Sequence, residues 1–390
     1  STIAANNVTV VSESPGGSGE LVGDDSVIAT LATEVVAASG VGPWDPVQVQ
    51  RFLSSRDVGG GPYITDVSEG WSGSAATEDL EVLFQLMHLS LTQPRVDDVP
   101  FDQQIEFARD TARLIDLDAG FAADIALADA RSGGGAFAAL PSNDAIEALT
   151  ADDALRIYRD RFSRLDDHVV VVVGDVTEST VADLARRYIG TLPASFEVER
   201  PEPFPAPGAT RQDLTAGSGS SSGAYRFATY GEADETVEAQ VLAELTTSIL
   251  DDRLFTVVRE ELGATYGGFA SIQFEDPGDL GALLISIDGD PERLDEIANA
   301  VQGELSTIAA GGLSSADFRE AVAVLESRYN FINNGVIIES LFDEARESAD
   351  RIVDRDRQWD ALQQLDPGDV AAFVTSLTES SDQIDIRAKP

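Results

Sequence analysis

Arg259 and Tyr266 stand seven positions apart in the stretch REELGATYGG, with glycines at 263, 267 and 268. A guanidinium offers several fixed donors to carbonyl oxygens, and a phenol donates to an oxygen on which negative charge develops. Glycines let another chain approach the backbone closely. The backbone at Gly267 and Gly268 is open to such approach, and the stretch can be read as half of an active site. A plainer reading is open at the same residues. An arginine in a last turn complements the helix dipole, and Gly263 is an ordinary helix stop.

Other chemistries are excluded or weak. There is no cysteine, so thiolate nucleophiles, disulfides and Cys-based zinc sites are absent. The only lysine is Lys389, which removes a Walker A lysine, a Schiff base and a Ser-x-x-Lys hydrolase. The two histidines, His88 and His168, are far apart in sequence, and each reads as a satisfied structural residue. Gly219-Ser-Ser221-Ser-Gly223 fits Gly-x-Ser-x-Gly in letters only, because it runs from a Gly/Ser stretch into a strand. The pairs Asp97-Asp98, Asp152-Asp153, Asp166-Asp167 and Asp251-Asp252 read as solvated acidic faces. Asp288-Gly-Asp290 opens like a calcium loop, but Arg293 stands where the loop requires glycine.

The elements around Arg259 and Tyr266 form half of a repeat. A strand, AYRFATYGE, leads into a helix from Thr236 to Leu262, which the arginine closes. Strands FASIQFED and GALLISID follow, then the helix PERLDEIANAVQGELSTIAAGG and a further helix capped by Ser315. The first part of the chain runs in the same order. Helices over Val27–Ser39 and Val47–Ser55 precede Gly59-Gly60-Gly61, a strand-like PYITDVSEG, and an amphipathic helix from Ala76. Arg56 and Tyr63 echo Arg259 and Tyr266, Asp79-Leu80 echo Arg293-Leu294, and Phe101 echoes Phe318. Five valines before Gly174-Asp175 make a buried strand, followed by a helix to Tyr188. The expected fold is α+β: two repeated sandwiches, each a largely antiparallel sheet with helices packed on it. The expected domains are 1–200, a Pro/Gly/Ser linker over 201–224, and 225–390 carrying the Arg/Tyr pair.

The chain has 390 residues, 43% of them apolar, enough for large cores. Its net charge of −43 repels phosphate backbones and anionic membranes, so nucleic acid is not an expected partner. No apolar run approaches the ~20 residues that cross a bilayer. The chain opens on Ser1 rather than Met, and the expectation is that a natural N-terminus has been removed. A thiol-free chain fits either side of a membrane, so the compartment stays open, with an extracytoplasmic site among the choices.

The repeat, VGDVTESTVADLARRYIGTLP and, most specifically, VVREELGATYGG together resemble the insulinase/pitrilysin family of zinc peptidases. The likeness covers nearly the whole chain, which is similar to the third and fourth domains of a four-domain member. It implies that Arg259 and Tyr266 hold the peptide backbone and stabilise the scissile carbonyl. In that family zinc sits on His-x-x-Glu-His in the first domain. The helix at that position here reads LATEV, and Leu31 and Val35 cannot bind a metal, although Glu34 stands where the family's glutamate would be. The chain should thus hold no metal and be inactive alone, with zinc on a complementary half or partner subunit. The substrates implied are peptides or unfolded segments, added as a strand to a sheet edge. A non-catalytic scaffold or peptide-binding subunit of the same family is the alternative.

Overall fold

The computed structural model describes residues 5–18, 21, 24–65, 68–131, 143–162, 168–192, 209–216, 218–219, 221–275, 280–330, 337–338, 341, 355–379 and 382–390. The proline-rich stretch 201–207 and Asp166-Asp167 lie outside them. The chain forms two compact units: Ser1–Ala112 with Gly135–Glu202 and Ile332–Arg346, and Arg113–Gly134 with Pro203–Phe331 and Glu347–Pro390.

The first unit holds a four-stranded antiparallel sheet in the order β2-β3-β1-β4. β1 (Val8–Pro15) is followed by α1 (Asp24–Ala38), α2 (Pro46–Leu53), β2 (Val58–Ile64) and β3 (Ser68–Ala75). Then come α3 (Leu80–Thr92), α4 (Asp98–Leu117), whose last residues count with the second unit, α6 (Asn143–Ala148), α7 (Ala151–Phe162), β4 (Val169–Gly174) and α8 (Glu178–Leu184). The PYITDVSEG segment is not one strand. It closes β2 and opens β3, and the three glycines sit inside β2 itself. Gly60 faces Trp71 so closely that an added Cβ would lie 2.6 Å from the indole, so the missing side chain makes room for the ring. The valine strand β4 lies at the sheet edge and is buried in alternation. Its uniform composition follows from having both faces covered. Val170 and Val172 pack on the core under α3, and Val171 and Val173 pack on Ile337 and Ile338.

The second unit repeats the plan. β6 (Gly223–Glu232), α9 (Val237–Leu254), β7 (Thr265–Glu275), β8 (Leu280–Gly289), α10 (Leu294–Ala309), α11 (Ser315–Tyr329), α12 (Arg355–Gln364), α13 (Pro367–Thr378) and β9 (Gln383–Lys389) follow in order. The sheet order is β5-β9-β6-β8-β7, in which only β5 (Thr210–Thr215) and β9 run parallel. One face carries the main core, built on α9, α10, α11 and α13. The other takes α5 (Ala119–Arg131) through small residues, Ala119 and Ala123 against Ala224, Ala228 and Ala282. Arg226 fastens that helix: its side chain is buried and reaches Asp124, Asp288 (2.7 Å) and the carbonyl of Gly120 (3.3 Å). The cap of α11 is Ser314 rather than Ser315, because the Ser314 hydroxyl accepts from Asp317 N–H at 3.1 Å. No helix of the described residues is long and apolar enough to cross a membrane.

Arg161 and Glu69 form a buried pair at 2.7 Å, with side chains only 5% and 1% exposed. Removing one partner strands a charge away from water, at about 3–5 kcal/mol. Arg161→Met should therefore lower the denaturant midpoint of the first unit far more than the double change Glu69→Leu with Arg161→Met. Equal losses would show that the pair is not what the site depends on.

Candidate functional site

α9 begins at its cap Thr236, whose hydroxyl accepts from Ala239 N–H at 3.1 Å. Its last part widens into a π-helical turn, Phe255–Glu261, of the kind that often marks functional positions. Leu262 N–H bonds to Val257 O, Gly263 N–H to Arg259 O and Ala264 N–H to Val258 O, each at 3.1 Å. Gly263 adopts φ +59°, the left-handed conformation that lets the helix stop there. The chain then turns directly into β7.

Arg259 lies on the wide turn and is exposed. Its guanidinium sits 4.9 Å above the ring of Phe255, one helical step earlier, and no carboxylate pairs with it among the described residues. Phe255 is itself 44% exposed, so the two form a surface platform. Tyr266 occupies a β-bulge, where the register between β7 and β8 slips between Thr265 and Gly267. Bulges re-aim side chains next to sites of function. The side chain of Tyr266 lies outside the described residues. Thr265 braces the bulge. Its hydroxyl accepts from Gly267 N–H at 3.0 Å, and the carbonyls of Gly267 and Asp288 are within reach of its proton.

The two glycines differ. A Cβ on Gly267 would meet nothing within 4 Å, whereas one on Gly268 would lie 2.7 Å from Ile287 Cγ1. Gly267 therefore leaves open space over the edge, and Gly268 keeps β7 tight against β8. Both are exposed, as is Phe269 at 59%. β7 ends the sheet, and no strand of the described residues pairs with its outer side. Such an edge is a row of backbone donors and acceptors ready for another strand.

The first unit holds the same pattern in a spent form. Phe52-x3-Arg56-x6-Tyr63 matches Phe255-x3-Arg259-x6-Tyr266 position for position. Arg56 lies 4.0 Å over the Phe52 ring but also pairs with Asp79 at 3.7 Å, and the Tyr63 hydroxyl donates to Glu13 at 2.7 Å. The phenylalanine of the motif is a residue that the sequence reading missed. Its repetition at the same spacing in both halves was the available signal.

The remaining candidates are structural. His88 Nδ1 donates to the carbonyl of Tyr188 at 2.8 Å beside a small apolar cavity, and His168 Nδ1 meets Ser12 Oγ at 2.8 Å. Gly219 and Ser221 precede β6 with no helix after them. Asp288 pairs with Arg226, and Asp290 caps the turn at Pro291. Leu31 and Val35 are buried core residues of α1, while Glu34 is exposed, its carboxyl raised by partial loss of water. Among the described residues no group of His, Asp or Glu can hold a metal ion. Asp251 corrects the reading of its pair as a solvated face: it is partly buried and accepts from Ala270 N–H at 2.6 Å.

Gly263→Ala forces a Cβ into the left-handed conformation, at about 1–2 kcal/mol, while Gly263→Asn should cost less. The outcome is read as the unfolding midpoint of the second unit. Equal costs would mean that the positive φ does not limit the turn.

Known proteins share this fold. Residues 148–325 match the family model described as the peptidase M16 inactive domain. The chain is 20% identical over 328 residues to a probable zinc protease, PqqL, of Haemophilus influenzae, covering 82% of this chain and 34% of that protein. The crystal structure of the periplasmic protease PqqL from Escherichia coli superposes with a TM-score of 0.86 at 17% identity, covering 100% of this chain and 44% of that one. A peptidase M16 inactive domain from Pseudomonas fluorescens gives 0.80 at 16% identity, with 99% of this chain and 93% of that one covered. The chain thus spans about a third of the length of its curated relative, and the structural likenesses establish the fold. Residues 148–325 are thus similar to the inactive domain of the M16 peptidases, the family that the REELGATYGG and VGD-to-LP segments resemble.

Proposed function

We propose that the chain is the substrate-clamping half of a zinc metalloendopeptidase, with the metal supplied by a complementary half or subunit. The observation that carries this reading is the Arg259 platform beside an open, bulged strand edge. The guanidinium is exposed and lies over an aromatic ring, with no acid paired to it among the described residues. A peptide laid along β7 would offer it carbonyl oxygens, and Tyr266 stands at the bulge of the same strand. In the assembled enzyme the phenol would donate to the oxygen that gains charge when water attacks the scissile carbonyl. Gly267 and Gly268 would let the peptide backbone come close.

Buried Leu31 and Val35 support placing the zinc elsewhere, since the helix that would carry the ligands has become core. The metal would supply the activated water, and this chain's residues would bind and orient the peptide. A domain division within 201–224 belongs to the same reading, with β5 (Thr210–Thr215) and the start of β6 already part of the second sheet, as does an extracytoplasmic site, which the periplasmic relative supports.

Tyr266→Phe and Arg259→Ala should each lower kcat/KM of the zinc-loaded assembly by more than about tenfold, with zinc content unchanged. Unchanged turnover in both variants would remove the pair from the mechanism and leave a non-catalytic scaffold.

A further inference from the structure

The outer edge of β7 is not uniformly open. From Gly267 on, β7 pairs regularly with β8, and Ala270 stands opposite Ile285. Ala270 sends its N–H to Asp251 and therefore away from β8. With a period of two, the backbone groups of Gly268 and Ile272 face the same way. Asp251 comes from α9 and plugs the middle of this row. Its carboxylate is partly buried, and burial raises its pKa while the Ala270 amide works the other way. No cation of the described residues pairs with it. Its neighbour Asp252 is exposed.

We propose that Asp251 is the specificity-determining gate of the β7 edge, selecting an extended segment that carries a basic side chain. A segment adding to β7 must place one of its own carbonyls on Ala270 N–H, and this displaces the carboxylate. Displacement leaves a partly desolvated anion without its donor, which opposes binding. A lysine or arginine on the helix-facing side of the incoming segment supplies the missing partner. An acidic side chain there meets like charge, and a neutral one leaves the carboxylate unsatisfied. The gate therefore couples register to sequence: Ala270 fixes which carbonyl docks, and Asp251 reads the side chain beside it. The open edge at Gly268 and Ile272 is then accessible to basic segments and guarded against others, in keeping with edge strands protected by charge. The proposal rests on the reading of β7 as a peptide-binding edge, but it needs neither zinc nor the complementary half.

The test uses the whole chain and a fluorescein-labelled, acetylated segment of alternating Thr and Val with one central Lys, beside its Ala and Glu versions. Fluorescence anisotropy at low salt should show the Lys version binding at least about tenfold tighter than the Glu version. Asp251→Asn keeps an oxygen for Ala270 N–H and removes the charge, so the ratio should collapse to about twofold or less. Asp252→Asn should leave the ratio intact. Amide exchange of the unaltered chain provides a second readout that needs no variant: residues 265–275 should exchange more slowly with the Lys segment present. The proposal is overturned if the ratio survives Asp251→Asn, if Asp252→Asn lowers it equally, or if the segment binds without protecting β7. Loss of turnover in the Arg259 and Tyr266 variants is independent of all three results, so the gate and the clamp can fail separately.

Discussion

One left-handed residue sets the geometry of the candidate site. A helix that runs into an edge strand must reverse within two residues and still satisfy its last carbonyls. Gly263 does this at φ +59°, with its own amide and that of Ala264 closing on Arg259 and Val258. The turn is wide because the last part of α9 is π-helical, which turns Arg259 and Phe255 outward together. The strand that follows is bulged at Tyr266 and held there by Thr265. An arginine, a tyrosine and an open strand edge thus share a short stretch of chain.

Within each unit, the sheet is shielded by a segment drawn from elsewhere in the chain. α5 comes from early in the chain and covers the outer face of the second sheet, where small residues let a helix lie close. Ile337 and Ile338 come from late in the chain and cover the outer face of β4. β4 and the middle of the second sheet are therefore covered on both faces. This explains why Val169–Gly174 is uniformly apolar although it lies at an edge, and why β6 is buried along nearly its whole length.

Much of this was legible in the sequence because it is local. The apolar period gives α3 and α10, the caps give the helix starts, and the order of elements gives the repeat. Where local signals overlapped, the reading slipped. Pro62 and the glycines hid a hairpin inside PYITDVSEG, and two adjacent serines, 314 and 315, compete for one cap. Arg259 and Tyr266 could be named from their spacing, whereas the bond from Ala270 to Asp251 spans nineteen positions and depends on how α9 lies over β7. Composition marks Asp251 as one of 69 acids, and only packing sets it apart. The first unit's Arg56 and Tyr63 teach the same lesson. Equal spacing does not give equal chemistry once Asp79 and Glu13 have engaged them.

On the proposed function, the chain is the peptide-binding partner in a metal-dependent reaction. Leu31 and Val35 lie in the core, and the exposed Arg259 has no acid paired with it among the described residues. The most direct measurement is native mass spectrometry of the protein as isolated from its source. The account predicts a species well above 41.4 kDa, with this sequence joined or bound to a second half of similar size, and one zinc per assembly. A species at the chain's own mass, without metal and without a partner, would contradict it.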